Sequence, residues 1–134
     1  MQYTTILAIM ITISIIIQKS LQKQRYTALV KGTLICNNER TRADIQLFES
    51  DPITTHDLLA SNKSNEMGEF EIFGFEDEIN FDPYLKITHQ CNLKDPKCKR
   101  QSEYILHQTQ LDQIYELPYI SLDIYTEKDE EQCP

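Results

Sequence analysis

At 134 residues and a formal charge of −8, the chain has room for one domain, or for one domain behind a leader segment. With 13 basic residues against 21 acidic ones, no nucleic-acid partner is expected, because phosphate binding needs clustered Lys and Arg. Only 3 glycines and no polar repeat argue against low-complexity disorder, while 4 cysteines fit two disulfides in an oxidising compartment.

Ile6 to Ile17 (ILAIMITISIII) is almost wholly apolar and is followed at once by Gln18-Lys19. Such a run is short for a bilayer span but suits the apolar region of a signal peptide. The reading is a signal peptide over residues 1–20, cut between Ile17 and Arg25, and a mature domain over 21–134 with no transmembrane span once the leader is gone. The alternative is an uncleaved signal anchor, since no small-x-small cleavage site is visible.

Tyr26 to Cys36 (YTALVKGTLIC) reads as the first strand. Ala28, Val30, Gly32, Leu34 and Cys36 share one face. Gly32 inside it signals a bulge or a close backbone approach. Asn37-Asn38-Glu39-Arg40 is a turn, because Asn tolerates left-handed geometry. Ala43 to Phe48 is a second strand, with Ala43, Ile45 and Leu47 inward and a hairpin to the first strand expected. Asp51-Pro52 breaks it, and His56 to Leu59 is a helical turn or a short edge segment. Asn62-Lys63-Ser64 is a glycosylation sequon, usable at Asn62 if the chain is secreted. Asn65 to Gly68 is a turn that needs positive φ at the glycine. Glu69 to Phe73 follows as a strand with Phe70 and Ile72 inward, then an acidic loop from Gly74 to Asn80.

Asp82-Pro83 opens the next strand, Tyr84 to His89, whose Leu85, Ile87 and His89 share a face. It runs to Cys91. A polar turn, Lys94 to Lys97, leads to Cys98. Ser102 to His107 is a further strand, and Gln108 to Asp112 a connection. Ile114 to Tyr125 is β-branched and aromatic for most of its length. Within it Pro118 demands a bulge, an edge or a break. The acidic tail carries Cys133, which implies that it is tied down. Strand signals every eight to fifteen residues, without a long amphipathic helix in the domain, are the pattern of an antiparallel β-sandwich.

Four cysteines allow three pairings. Cys91 and Cys98 flank a short turn able to bring their Cα atoms within bridging range, so they are paired, leaving Cys36 with Cys133. His89 with Cys36, Cys91 and Cys98 matches no usual zinc spacing, and secretory thiols oxidise. Glu76-Asp77-Glu78 lacks the spacing of an EF-hand calcium loop. His56 and His107 have no nucleophile at a recognisable spacing. No catalytic residue, metal or cofactor is therefore expected. The densest basic cluster, Lys94, Lys97, Lys99 and Arg100, is the candidate binding surface, weighed against a solvated loop that balances an acidic chain.

Three pieces, in order, carry a family resemblance: Val30-Lys31-Gly32-Thr33-Leu34-Ile35-Cys36, Met67-Gly68-Glu69-Phe70, and Asp82-Pro83-Tyr84-Leu85-Lys86-Ile87-Thr88-His89-Gln90-Cys91. Together they resemble the nematode transthyretin-like family of secreted proteins, over roughly Tyr26 to Cys133. The resemblance implies an all-β, transthyretin-like (prealbumin-like, Greek-key) antiparallel β-sandwich and an extracellular location, and implies no reaction. Pro118 stands where members carry a glycine-containing segment, and the usual Ile-Pro pair is missing after Tyr104. Hydroxyisourate hydrolases share the architecture but end in Tyr-Arg-Gly-Ser, whereas this chain ends Glu130-Glu131-Gln132-Cys133-Pro134. The expected role is a secreted, non-enzymatic binding or adaptor domain for an extracellular or cell-surface ligand. The alternative is a carrier of a small hydrophobic ligand. The two differ in an exposed aromatic patch against an apolar cavity.

Overall fold

The computed structural model describes residues 1–20, 25–53, 55–77, 82–107 and 112–134. The first element is α1 (Gln2–Ser20), with no acidic residue in its first turn and Lys19 in its last. The side chains of residues 2–19 are exposed, apolar ones included. The helix exceeds the apolar run because Gln2 to Thr5 extend it. By length and composition alone it suffices to cross a membrane, a test that signal sequences also pass.

β1 (Tyr26–Cys36) begins and ends where the alternation predicts. Its Ala28, Val30 and Leu34 are fully buried. Asn37 and Asn38 take φ of 51° and 65°, the two positive values that a tight hairpin turn needs. The turn returns the chain as β2 (Glu39–Arg40), which pairs Ile35 with Arg40 and Cys36 with Glu39. β3 (Asp44–Glu49) is therefore not the hairpin partner of β1. It crosses to the other layer and pairs with β4 (Asp57–Lys63) and β6 (Pro83–His89). The reason is its inward row: Ile45 and Leu47 bury themselves by facing Val30 and Leu34 across the core, not by lying beside them.

β5 (Glu69–Glu76) is three residues longer than the pattern suggested, so Gly74, Phe75 and Glu76 are strand and not loop. It pairs antiparallel with β1 from Tyr26↔Glu76 to Thr33↔Glu69. Gly68 precedes it at φ 73°, and a Cβ there would stand 2.5 Å from the Leu34 carbonyl oxygen. On the other edge of β1 lies β8 (Asp112–Ser121), which runs parallel to it. This ladder departs from the purely antiparallel expectation; the other ladders among the described residues are antiparallel. Its register slips between Gly32 and Leu34, opposite Leu117 and Ile120, so Pro118 sits at a bulge on an edge strand. Gly32 is the close approach beside it: a Cβ there would be 3.0 Å from the Phe70 ring.

The second sheet runs β4-β3-β6-β7-β9, with β7 (Lys99–Ile105) and β9 (Glu130–Gln132). β7 starts three residues before the predicted strand, which places Lys99 and Arg100 in a ladder. Of the two forms expected at His56 to Leu59, a helical turn or an edge segment, the structure has the edge strand, β4, and Asn62 and Lys63 lie within it. The chain from Gln108 to Leu111, part of the predicted connection, lies outside the described residues. The two sheets enclose one core of Ala28, Val30, Leu34, Ile45, Leu47, Phe70, Ile72, Leu85, Ile87 and Tyr115, closed by Ile120 and Leu122. Each fully buried aliphatic side chain contributes about 1.5–3 kcal/mol.

All four cysteines are bonded, but in a different pairing from the one that spacing suggested: Cys36–Cys91 and Cys98–Cys133. Cys36 ends β1 and Cys91 follows β6, so their bond ties the two layers together at one end. The second pair follows from strand register. Lys99 faces Gln132 and Arg100 faces Glu131 across the β7–β9 ladder, so the next step outward sets Cys98 against Cys133, with Cα atoms 4.2 Å apart. Closeness along the chain favoured Cys91 with Cys98; closeness across the sheets decided otherwise. The bridges span 55 and 35 residues, for which loop entropy gives about 4 kcal/mol each. Non-reducing peptide mapping should recover Cys36 linked to Cys91 and Cys98 linked to Cys133. Cys133→Ser should cost about 2–4 kcal/mol of stability and detach β9, read as loss of amide protection at residues 130–132. A Cys91–Cys98 peptide would reject this pairing.

Candidate functional site

The basic cluster is divided by the fold. Lys94, Lys97 and Lys99 are exposed, but the Arg100 side chain is fully buried and offers nothing to a ligand. β7 places Arg100 on its inward side, where one terminal NH₂ donates to the Leu122 carbonyl and the guanidinium stacks on the Tyr125 ring at 3.9 Å. Its Nε lies 3.3 Å from Asp129 Oδ2, an ion-pair contact in which the N–H is not aimed at the oxygen. Lys94 lies at the surface near the same ring: its ammonium is 5.9 Å from the centre of Tyr125, and its backbone N–H donates to Glu131 at 3.3 Å. The Tyr125 hydroxyl donates to the same carboxylate at 2.6 Å. That hydroxyl, then the Lys94 N–H, hold Glu131 below its ordinary pKa.

Asn62 is exposed on β4, its amide donating to the Glu71 carbonyl at 2.7 Å. The sequon's Ser64 is buried, and its hydroxyl accepts the Ala43 N–H at 2.9 Å. Glu76 accepts the Asp77 N–H at 2.7 Å and Asp77 lies 3.5 Å from Arg25, while Glu78 lies outside the described residues. The carboxylates that converge are those of Glu49, Asp57 and Glu76, within 4.8 Å of one another. Spacing hid this group, because its members come from three strands.

His89 is 3 % exposed and belongs to a buried polar chain. The Cys91 N–H donates to its Nδ1 at 3.1 Å, so the neutral ring carries its proton on Nε2. Nε2 donates to the Ser102 hydroxyl at 3.0 Å, and that hydroxyl donates to Asp129 at 3.2 Å. This polarity is opposite to nucleophilic catalysis, in which the histidine would accept the serine proton. With Cys36, Cys91 and Cys98 all in disulfides, no thiolate accompanies His89 as a metal ligand. His56 lies 2.6 Å from the Tyr84 hydroxyl, and burial, then Glu103, raises the pKa of that tyrosine. His107 is exposed.

Burial, then the Arg100 charge, lowers His89 to about 4, while Asp129 opposes the shift. The unfolded ring titrates near 6.5, so between those values the unfolded chain binds more protons. Stability should therefore be full above about pH 6.5 and fall as the pH drops to about 4, by at most about 1.4 kcal/mol per pH unit from this group. Urea denaturation at a series of pH values checks this, and His89→Gln should flatten the decline in that window.

The outward face of β5-β1-β8 is organised in rows by register. One row is Phe73–Leu29–Ile114, and the next is Glu71–Lys31–Glu116. Phe73 is 53 % exposed and Ile114 62 %, and Phe75, beside Thr27, is exposed under the Arg25 guanidinium at 4.6 Å. Lys31 pairs with Glu71 at 3.5 Å. A shallow groove of about 740 Å³ lies over the charged end, lined by Lys31, Glu69, Glu71, Glu116, Leu117 and Pro118 among others. These rows depend on which strands pair, which the pattern within a single strand does not state.

The family model described as "TTR-52: Transthyretin-like family" matches residues 31–106. Transthyretin-like protein 16 of Caenorhabditis elegans is 38% identical over 106 residues, covering 78% of this chain and 80% of that protein. Transthyretin-like protein 5 of the same nematode is 42% identical over 78 residues, 56% of each chain. Transthyretin-like protein 2 is 32% identical over 82 residues, 55% of each. Among solved structures, the 9R-lipoxygenase of Cyanothece PCC8801 aligns at a TM-score of 0.46 and 16% identity, over 78% of this chain and 18% of that one. The matched residues run from the middle of β1 to just past β7, through both disulfide-bonded strand ends and the Gly68 turn, and the chain belongs to the nematode transthyretin-like family.

Proposed function

We propose that the chain is a secreted, non-enzymatic binding domain that engages an extracellular or cell-surface ligand through the outward face of β5-β1-β8. The observation that carries this reading is the outward apolar row Phe73–Leu29–Ile114, in which Phe73 and Ile114 are exposed and Leu29 is half-buried between them, extended by exposed Phe75. A solvated sheet face that contributes nothing to binding ordinarily carries polar residues in these outward positions. Two disulfides and an apolar N-terminal helix support passage through an oxidising secretory route, with the leader removed between Ile17 and Arg25. Lys97 and Lys99 are secondary contacts in this reading. The carboxylates that line the groove on this face weigh against the carrier alternative there, since a hydrophobic ligand gains nothing from Glu69, Glu71 and Glu116.

The full chain, expressed in a eukaryotic secretory host, should appear in the medium with an N-terminus between residues 18 and 25. It should bind intact cells, and the double variant Phe73→Ser/Ile114→Ser should weaken that binding at least tenfold, about 1.4 kcal/mol, with little change in melting temperature. Lys97→Glu/Lys99→Glu should weaken it less. Material that begins at Met1, or equal cell binding by the Phe73/Ile114 double variant, would sink the proposal.

A further inference from the structure

The rows on the β5-β1-β8 face carry more than exposure; they specify what fits there. Three adjacent strands span about 10 Å, the width of one α-helix. The rows from Thr27 to Thr33 extend about 20 Å along the strands, the length of roughly 13 helical residues. The face changes character along that length, with Asp112 paired to Thr27 and the Arg25 guanidinium over Phe75 beyond the apolar row. At one end Phe73, Leu29, Ile114 and Phe75 are apolar. At the other, Glu69, Glu71 and Glu116 surround a single lysine, Lys31, which Glu71 already pairs at 3.5 Å. Glu69 and Glu116 make no ion pair among the described residues, so the groove presents uncompensated negative charge. The adjoining rows are about 7 Å apart, within reach of an apolar side chain and a cation on one helix face.

We propose that this face receives a cationic amphipathic helix of a partner protein, with apolar side chains on Phe73, Leu29 and Ile114, and Lys or Arg on Glu69 and Glu116. The charge decides between occupants. A second copy of this chain would bring the same carboxylates to the interface, and an anionic lipid surface would be repelled by them. This inference rests on the proposed binding role of the face and adds the chemistry of its partner.

The test uses the protein secreted from the full chain, labelled with ¹⁵N, and three synthetic 14-residue peptides. One is an amphipathic Leu/Lys helix, one the Leu/Glu counterpart, and one Lys with Ser in place of Leu. The Leu/Lys peptide should shift amides of β1, β5 and β8, including Leu29, Glu71, Phe73, Ile114 and Glu116. Glu69→Lys/Glu116→Lys and, separately, Ile114→Ser should each weaken it at least tenfold, and the other two peptides should bind at least tenfold more weakly. Shifts confined to the other sheet or to residues 92–99, equal binding of the Leu/Glu peptide, or preferential binding to phosphatidylglycerol vesicles would overturn the proposal. If the Phe73→Ser/Ile114→Ser variant loses cell binding while the Leu/Lys peptide fails to bind, the partner class falls and the binding role of the face stands.

Discussion

The bond between Cys36 and Cys91 joins the ends of the two central strands, β1 of one sheet and β6 of the other. A small two-layer domain has limited apolar area to hold its layers together. A covalent tie at one end restricts how far the unfolded layers can separate, and it sets the relative position from which every neighbouring strand is built outward. β5 and β8 are laid on β1, and β3 and β7 on β6, so the register of both sheets refers to the same pair of strands. The second bridge works differently. It continues the β7–β9 ladder and keeps a three-residue edge strand in place that could not persist on its hydrogen bonds alone.

At the same end of the molecule, the fold buries a charge. Arg100 is fully enclosed, and removing a guanidinium from water is costly unless opposite charge and acceptors accompany it. Asp129, the Leu122 carbonyl and the face of Tyr125 supply these, and all three come from the segment after β8. The acidic tail is thus ordered by a basic residue of β7, as well as by its cysteine. Ser102 and neutral His89 complete the polar chain. Serine, histidine and aspartate thus meet here in one hydrogen-bonded chain beside the buried Arg100.

With the basic residues partly consumed in this way, the surface that stands out is on the opposite layer. Its rows set an apolar band beside a carboxylate-lined groove. The same pleat that sends Val30 and Leu34 into the core sends Leu29 and Lys31 outward, so core and surface are written on alternate residues of one strand.

What the sequence determined by itself was local. Alternation in Tyr26–Cys36 and Tyr84–His89, positive φ at Asn37, Asn38 and Gly68, and the special position of Pro118 follow from side-chain period and backbone sterics, which need no partner. The ordered motifs from Val30 to Cys91 made the family legible as well. The disulfide partners, the burial of Arg100, the layer occupied by β3 and the apolar and acidic rows were decided only by tertiary structure. Each depends on which strands lie side by side, and a strand's pattern states which face is apolar without stating what lies at its edges. Cys98 meets Cys133 because β7 and β9 pair in one register, and Ile114 meets Leu29 and Phe73 because β1 accepts neighbours on both edges.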